Sequence, residues 1–337
     1  MPDSQIDCLI IGGGPAGLTA ALYLARFHLD VAVVDEGRSR AGWIPTSRNV
    51  PGFPDGISGE QLLERMRQHA QRYGVAINVG RVSRLDREES GFVAEWGAGR
   101  VTARTVLLAT GVANRRPEMD EALHKTALAR GLIRYCPICD GFEVTDKKVG
   151  VIGSGTHGVA EALFLRGYTA DVTLIAPDDG HMLSHDDRER LADAGVTILE
   201  GPSRVSALET DRIAVDTAGG QYHFDSVYPA LGSDINSELA VRAGAAVAEV
   251  RGCIIVDSHQ RTKVPGLYAA GDVVLGLDQI SHAMGEGGVA ATTIRNDLAQ
   301  TRPLLRGAKA GRRKARFSSN RQRSGPRENV TGLRTAS

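Results

Sequence analysis

The apolar residues near the start of the chain form short runs separated by glycine-rich and polar stretches. Residues 7–11 predict a buried strand, and residues 12–17 form a glycine-rich turn. An apolar pattern typical of a helix then covers residues 18–27, and residues 31–34 predict a second strand that ends in two acidic residues. This order of strand, glycine turn, helix and strand is typical of a dinucleotide-binding unit.

The glycine turn has the G-x-G-x-x-G spacing that such units use around a pyrophosphate. Gly12 allows the tight turn, Gly14 lets the backbone approach the phosphates, and Gly17 lets the helix pack closely on the strand. The N-terminus of the helix stabilises the phosphate charge. Asp35 and Glu36 end the second strand and provide carboxylates for the ribose hydroxyls.

A second copy of the pattern covers residues 148–175, and its turn opens with Gly153 and Gly155. Its second strand is followed by Ala-Pro-Asp-Asp, residues 176–179, with neither an acid at the ribose position nor an arginine for a 2′-phosphate. His157 lies inside the turn, where its side chain would crowd a pyrophosphate. We therefore expect this half to bind NADH weakly, NADPH poorly, or no nucleotide.

Between the two copies lies the sequence Cys-Pro-Ile-Cys-Asp-Gly, residues 136–141. A Cys-x-x-Cys pair closes a small disulfide and lowers the pKa of one thiol, which makes it a nucleophile at neutral pH. Asp140 follows at once and is placed to carry the proton that thiol exchange requires. The alternative is half of a zinc site, but the chain has no second ligand pair. We therefore favour Cys136 and Cys139 as a redox-active pair and expect no metal.

Residues 264–272 predict a strand that closes on Gly271 and Asp272, and a helix rich in small residues begins near Gln279. Asp272 suits the ribityl or pyrophosphate part of a flavin, and the helix start directs its dipole at the flavin ring. His282, in the first turn of this helix, is either a base beside the dithiol or a packing and hydrogen-bonding residue, and the second role is favoured.

Because this segment follows the second unit, the first unit must be discontinuous. We predict an α/β protein with two Rossmann-like domains of three-layer ββα type, the second inserted into a split FAD-binding domain. The expected parts are residues 1–112 and 246–300 for the FAD-binding domain, 113–245 for the inserted NAD(P)-binding-like domain with the dithiol, and 301–337 for a tail.

Composition narrows the functional classes. The 337 residues carry 40 basic and 40 acidic side chains, but 11 of the basic ones and a single acid lie in the tail, which we expect to be disordered. For this basic tail we favour the interpretation of a solvated appendage over that of a nucleic-acid-binding segment. No apolar run has the length of a membrane span, and the N-terminus lacks the pattern of a signal peptide. We expect a cytoplasmic protein that does not bind membranes.

The order and spacing of these motifs, together with Ala109-Thr-Gly111, resemble the low-molecular-weight thioredoxin reductases over about residues 5 to 300. The resemblance implies bound FAD, a homodimer, and an inserted domain that rotates between steps. It also implies that Cys139 faces the flavin, that Cys136 exchanges with the substrate, and that Asp140 is the acid. Further residues implied at the cofactor sites are Pro15, Ala16, Gly42, Asn49, Val82, Ala109, Gly111 and Ile280.

Two departures from that family bear on the electron donor. Residues 176–178 read Ala-Pro-Asp where members carry His-Arg-Arg, and residues 41–43 read Ala-Gly-Trp where members carry Gly-Gly-Gln. An aspartate repels the phosphate that an arginine would bind. The chain is thus similar to branches that do not use NADPH.

The substrate is expected to be a small disulfide or dithiol, or a thioredoxin-like protein. Three enzyme functions are considered. The first is a reductase that takes electrons from a nicotinamide, and the second is a dithiol oxidase of the gliotoxin and holomycin type, which passes electrons to oxygen. The third is the function of the ferredoxin-linked relatives. A remote alternative is a non-catalytic binding protein acting through its tail.

Overall fold

A computed structural model describes residues 5–97 and 99–305. These residues form strands β1 (Ile6–Ile11), β2 (Val31–Asp35), β3 (Ala76–Val79), β4 (Arg84–Glu88), β5 (Gly91–Trp96), β6 (Gly99–Leu108), β7 (Val112–Asn114), β8 (Val149–Gly153), β9 (Val172–Ile175), β10 (Thr197–Leu199), β11 (Arg204–Leu208), β12 (Ile213–Thr217), β13 (Gly220–Phe224), β14 (Ser226–Ala230), β15 (Ser233–Ile235) and β16 (Leu267–Ala269).

The helices are α1 (Pro15–Arg26), α2 (Gly59–Arg72), α3 (Glu121–Ala129), α4 (Pro137–Asp140), α5 (Gly155–Leu165), α6 (His185–Asp193), α7 (Glu238–Arg242) and α8 (Ile280–Thr301). Two 3-10 turns cover Arg40–Trp43 and Gly141–Val144. The described helices include none that is long and apolar enough to cross a membrane.

The largest sheet has the strand order β3-β2-β1-β6-β5-β4, and β16 pairs with β6. Strands β1, β2, β3 and β16 run parallel to their neighbours, whereas β4, β5 and β6 pair antiparallel. Helices pack on the parallel part, so both faces of β1 are buried and its apolar run is nearly continuous. Strand β16 therefore completes a sheet begun at the other end of the chain, as the predicted split domain requires.

Helices α1 and α8 approach each other closely because small residues line their contact. A Cβ on Gly287 would collide with the carbonyl oxygen of Ala16, and a Cβ on Gly271 would lie 2.9 Å from the Ala16 methyl group. Gly271 also has φ +80°, a conformation that other residues adopt only with strain. The contact brings the start of α8 beside the glycine turn that opens α1.

The second unit contains the parallel sheet β10-β9-β8-β14 and the antiparallel sheet β11-β12-β13. One core cluster lies around β8 and α5, and a second includes Ile133, Ile152 and Phe224. The two Rossmann-like domains expected from the sequence are thus both present. The predicted strands and helices around the two glycine turns agree with the structure to within a few residues, whereas the predicted strand 264–272 is reduced to β16. Strands β3 to β5 and β10 to β13 and helices α2, α3 and α6 were not predicted.

The chain passes between the two units through a pair of antiparallel strands, β7 and β15. Ala240 and Ala245 follow β15 and pack in the core of the largest sheet together with Ala269. We therefore propose that the second crossing lies at β15 and not at residue 245, because residues after Ile235 already belong to the FAD-binding core. The predicted tail lies outside the described residues, apart from its first few positions.

Candidate active site

One cavity of about 1860 Å³ runs from the first glycine turn, past the cysteine pair, to the second glycine turn. It collects residues that are far apart in the sequence but were predicted to act together. Its lining includes Gly12, Gly14, Pro15, Ala16, Asp35, Glu36, Asn49, Val82, Ala109, Gly111, Cys136, Cys139, Asp140, Gly271, Asp272, Gln279 and Ile280.

The first glycine turn is shaped by close backbone approaches. Gly12 has φ +108°, and a Cβ there would collide with the carbonyl oxygen of Ala109. A Cβ on Gly17 would collide with the carbonyl oxygen of Gly12. Gly14 is different: its backbone is extended, and the nearest atom to an added Cβ is Ser39 Oγ at 3.3 Å. Gly12 and Gly17 serve packing, whereas Gly14 leaves space on the cavity side, which fits a dinucleotide phosphate.

Two carboxylates end β2 in different environments. Asp35 is buried against Gly13, and its carboxylate lies 3.6 Å from the Arg67 guanidinium. Glu36 is more exposed and lies 3.6 Å from Arg38 and 3.9 Å from Arg81. Both acids line the cavity, as the sequence predicted. Since Asp35 is buried and packed against Gly13, Glu36 is the carboxylate with more freedom to turn toward a ribose.

Asp272 lies at the other side of the same cavity and is held by Arg40. Arg40 Nε donates to the Asp272 carboxylate over 2.7 Å, while its other nitrogens reach Asn114 Oδ1 at 3.1 Å and Asp278 at 3.2 Å. Burial raises the pKa of Asp272, and the Arg40 charge opposes this effect. No sequence motif marks Arg40 or Asn114, although Arg40 directly precedes the unusual Ala-Gly-Trp segment.

Cys136 and Cys139 form a disulfide at the start of α4. The side-chain amide nitrogen of Gln279, which precedes α8, lies 3.3 Å from each sulfur. Asn49 Nδ2 donates to the Gln279 carbonyl oxygen over 2.9 Å. Three segments that the sequence assigned to one site therefore meet at the disulfide: one from each half of the split domain and one from the insertion.

His282 takes a position that favours the second of its two predicted roles. Its Nε2 lies 3.1 Å from a Glu286 carboxylate oxygen, and the other oxygen of Glu286 accepts a hydrogen bond from the Gly271 backbone over 2.7 Å. His282 is absent from the described residues that line the cavity. It supports the Gly271 turn through Glu286, and its role as a base beside the dithiol stays a prediction.

The second glycine turn has the expected backbone, and His157, Glu161 and the charge of Arg251 lie close to it. Gly155 has φ +59°, and a Cβ on Gly158 would lie 2.8 Å from the Gly153 carbonyl carbon. His157 Nε2 lies 3.3 Å from a carboxylate oxygen of Glu161. Burial raises the pKa of Glu161 to about 7, and its Oε2 accepts no hydrogen bond from any described residue. A partly buried carboxyl group therefore stands beside the surface that a second dinucleotide would use.

Trp43 makes contacts that the sequence did not reveal. It belongs to the FAD-binding part, yet its ring packs edge-on against His124 at 5.5 Å and at a tilt against Tyr135 at 5.7 Å, both in the insertion. The Arg116 guanidinium lies over the Trp43 ring at 4.8 Å. The residue that departs from the family's Gly-Gly-Gln thus joins the two parts of the chain next to the disulfide.

The fold and the cavity define a class of protein: a two-domain enzyme with a glycine cradle for a flavin dinucleotide and a disulfide beside it. No group of three or more His, Cys, Asp or Glu side chains that would suit a metal ion occurs among the described residues. The glycine backbone, the free space at Gly14 and the acids at the end of β2 fit FAD.

Comparison with known proteins specifies the class. Residues 6–287 match the pyridine nucleotide-disulphide oxidoreductase family. The thioredoxin reductase of Mycolicibacterium smegmatis is 33% identical over 80% of this chain and 88% of its own length. The crystal structure of Streptococcus pyogenes thioredoxin reductase has a TM-score of 0.79 at 27% identity and covers 88% of this chain and 99% of its own. The crystal structure of HlmI has a TM-score of 0.78 at 30% identity, covering 88% and 93%.

The chain belongs to the pyridine nucleotide-disulphide oxidoreductase family. Within it, the chain is similar to the low-molecular-weight thioredoxin reductases and is a FAD-dependent thiol-disulfide oxidoreductase. The cysteine pair forms a disulfide, as a redox-active pair requires. The predictions of family, fold class and enzyme class are confirmed.

Proposed function

We propose that this enzyme exchanges electrons between its flavin and a substrate dithiol or disulfide through Cys136 and Cys139, and that NADPH is not its electron donor. The proposal that NADPH is not the donor rests on the residues that follow the end of β9. There Ala176 is buried, and the exposed side chains that follow are Asp178 and Asp179, with no cation among residues 176–180. A 2′-phosphate would meet negative charge at the position where an arginine fork would bind it.

The glycine turn before α5 supports the same proposal. The pair formed by His157 and Glu161 lies on the first turns of this helix and lines the cavity. A dinucleotide pyrophosphate bound there would approach the partly buried Glu161 carboxyl group. Because burial raises the pKa of Glu161 to about 7, this group is ionised in part of the molecules at neutral pH, and its charge then works against the favourable field of the helix N-terminus. NADH, which lacks the 2′-phosphate, is expected to bind weakly and NADPH more weakly still.

The residues at the disulfide divide the work of thiol exchange. We assign Cys136 to the substrate and Cys139 to the flavin, and we assign Asp140 to the proton. Gln279 fixes the disulfide relative to the start of α8, because its amide nitrogen contacts both sulfurs and its oxygen is held by Asn49. When bound, FAD supplies or accepts the two electrons that the cysteine pair exchanges.

The substrate and the second electron partner follow from chemistry. Relatives named thioredoxin reductases act on thioredoxin, so a thioredoxin-like protein is one candidate substrate, and a small dithiol that enters the cavity is the other. Without NADPH, oxygen or a ferredoxin-like carrier completes the cycle. A homodimer is expected on the pattern of the family, and sedimentation of the purified protein tests it.

Changing Asp178 to arginine is expected to create a preference for NADPH over NADH of at least about tenfold, since one charge-assisted Arg–phosphate pair provides that much binding. Asp178 is exposed, so the new side chain has room. The measurement is the affinity of NADPH and of NADH for the flavin-loaded protein. Asp178→Asn is the matched control, because it removes the negative charge that repels the 2′-phosphate without adding a guanidinium group that binds it. Micromolar binding of NADPH by the unchanged protein would contradict the proposal.

A further inference from the structure

Both carboxylate oxygens of Asp140 are held by donors of the inserted domain. Arg134 Nη1 donates to Oδ2 over 2.9 Å, and the Tyr228 hydroxyl donates to Oδ1 over 2.9 Å. The Arg134 side chain is mostly buried, and Tyr228 is completely buried in the centre of β14. The carboxylate that follows the cysteine pair therefore has one fixed orientation, set by a cation and a hydroxyl.

The fold fixes these two donors independently of Asp140. The segment before the disulfide runs beside β14, where the Arg134 backbone nitrogen donates to the Val227 carbonyl oxygen over 2.9 Å. Arg134 Nε donates to the Gly131 carbonyl oxygen over 3.0 Å, which orients its guanidinium. Tyr228 lies next to Val227 on the same strand. The two donors are thus placed by backbone pairing, and they form a preformed clamp for the carboxylate.

The charges around Asp140 act in opposite directions. Burial raises the pKa of the carboxyl group, whereas the Arg134 charge and the hydrogen bonds from Arg134 and Tyr228 lower it. Glu143, on the 3-10 turn after α4, raises it further and itself lies 3.7 Å from the Arg48 guanidinium. The Tyr168 ring packs against the neighbouring Gly141. Without the clamp, burial would favour the protonated form of the carboxyl group.

We propose that Arg134 and Tyr228 are positioning residues that orient Asp140 and keep it able to accept a proton during thiol exchange at the disulfide. This inference rests on the role of Asp140 in the proposed function. It adds two residues to the site that neither the motif nor the spacing of the cysteines reveals.

The step that the clamp serves is the opening of the disulfide by a substrate dithiol. A bond forms between a substrate sulfur and Cys136 Sγ while the bond between Cys136 and Cys139 breaks, and Cys139 leaves as a thiolate. The proton of the attacking thiol passes to the Asp140 carboxylate. The second substrate thiol then displaces Cys136, which takes up the proton of that thiol as it leaves, so the substrate is oxidised to its disulfide and the cysteine pair takes up two electrons. The ionised form of Asp140 is required, so the rate falls as the pH drops through its pKa.

The test is the pH dependence of disulfide opening by dithiothreitol in the flavin-loaded protein under anaerobic conditions. Opening is followed by alkylation of the released thiols and mass spectrometry, and flavin bleaching is recorded in parallel. In Tyr228→Phe the ring is kept and one hydrogen bond to a charged group is lost. The acid limb of the rate profile is expected to move up by about one pH unit.

Tyr268→Phe is the matched control, because it removes another buried Tyr–Asp hydrogen bond, of 2.8 Å to Asp297, in the other domain. Its acid limb is expected to coincide with that of the unchanged protein. Arg134→Met is expected to shift the acid limb to a higher pH than Tyr228→Phe does. Arg134→Lys keeps the positive charge, so its acid limb is expected to lie close to that of the unchanged protein.

The outcomes separate the two proposals. If dithiothreitol opens the disulfide of the unchanged protein but the Tyr228→Phe and Arg134→Met profiles coincide with it, the clamp is wrong and the proposed function stands. If dithiothreitol does not open the disulfide of the unchanged protein at any pH, the proposed function fails and the clamp fails with it. The clamp is supported if the acid limb of the rate profile moves to higher pH in Tyr228→Phe and Arg134→Met and lies near its original pH in Arg134→Lys.

Discussion

Replacing Cys139 with serine is expected to lower the rate of flavin reduction by dithiothreitol by more than about a thousandfold, since the substitution removes a reacting atom. The structure supports this expectation because Cys139 forms the disulfide with Cys136 and lies 3.3 Å from the Gln279 amide at the start of α8. The measurement is the anaerobic bleaching rate in a stopped-flow instrument at matched flavin content.

Cys253→Ser is the control for this change, because Cys253 is a free, buried cysteine outside the cavity lining. It should retain the bleaching rate of the unchanged protein. Cys136→Ser should lose the rate as Cys139→Ser does, since both sulfurs are needed to close the disulfide. A Cys139→Ser protein that bleaches at the original rate would show that dithiols reach the flavin directly, and the cysteine pair would then have no redox role.

The second large effect is expected at the first glycine turn. In Gly17→Ala the new Cβ collides with the Gly12 carbonyl oxygen, and backbone must move to make room. Such overpacking costs about 3 kcal/mol, which for a chain of this size lowers the melting temperature by roughly 4 °C. We also expect the purified protein to lose its flavin. Differential scanning calorimetry with and without added FAD measures both effects.

Gly14→Ala separates packing from cofactor binding at the same turn. Its Cβ meets only Ser39 Oγ at 3.3 Å, so the flavin-free protein should keep its melting temperature while its affinity for FAD falls. Gly285→Ala is a neutral control, because a Cβ there lies in open space on α8 and alanine favours the helix. An unchanged melting temperature in Gly17→Ala would contradict the close approach of α1 to the glycine turn.

Much of the site could be predicted because its parts are local in sequence. The glycine turns at Gly12 and Gly153 are each defined by a few neighbouring residues, and the spacing of a strand, turn and helix leaves little freedom in where they fold. The two cysteines and Asp140 are likewise contiguous. The resemblance to a family assigned Asn49 and Gln279 to the cofactor site, but their contact with each other at the disulfide was not predicted, because no local pattern relates residues so far apart.

The remaining features depend on contacts between distant segments. Tyr228 reaches Asp140 only because β14 pairs beside β8, and in the sequence it is one residue of a buried strand. Arg40 has no local signal in the sequence, because Asn114 and the two neighbouring acids Asp272 and Asp278 lie far from it along the chain. The predicted boundary at residue 245 has no local motif behind it, and the packing of Ala245 in the first core is a tertiary contact.

The central claim is that this flavoenzyme exchanges electrons with a dithiol through its cysteine pair and does not take them from NADPH. The most direct test is an anaerobic titration of the flavin-loaded protein with dithiothreitol, NADPH and NADH in separate experiments, followed by the flavin absorbance. We predict bleaching by dithiothreitol, little or none by NADPH at micromolar concentration, and return of the colour when air or another acceptor is admitted. Full bleaching by stoichiometric NADPH would contradict the account and identify a nicotinamide-fed reductase.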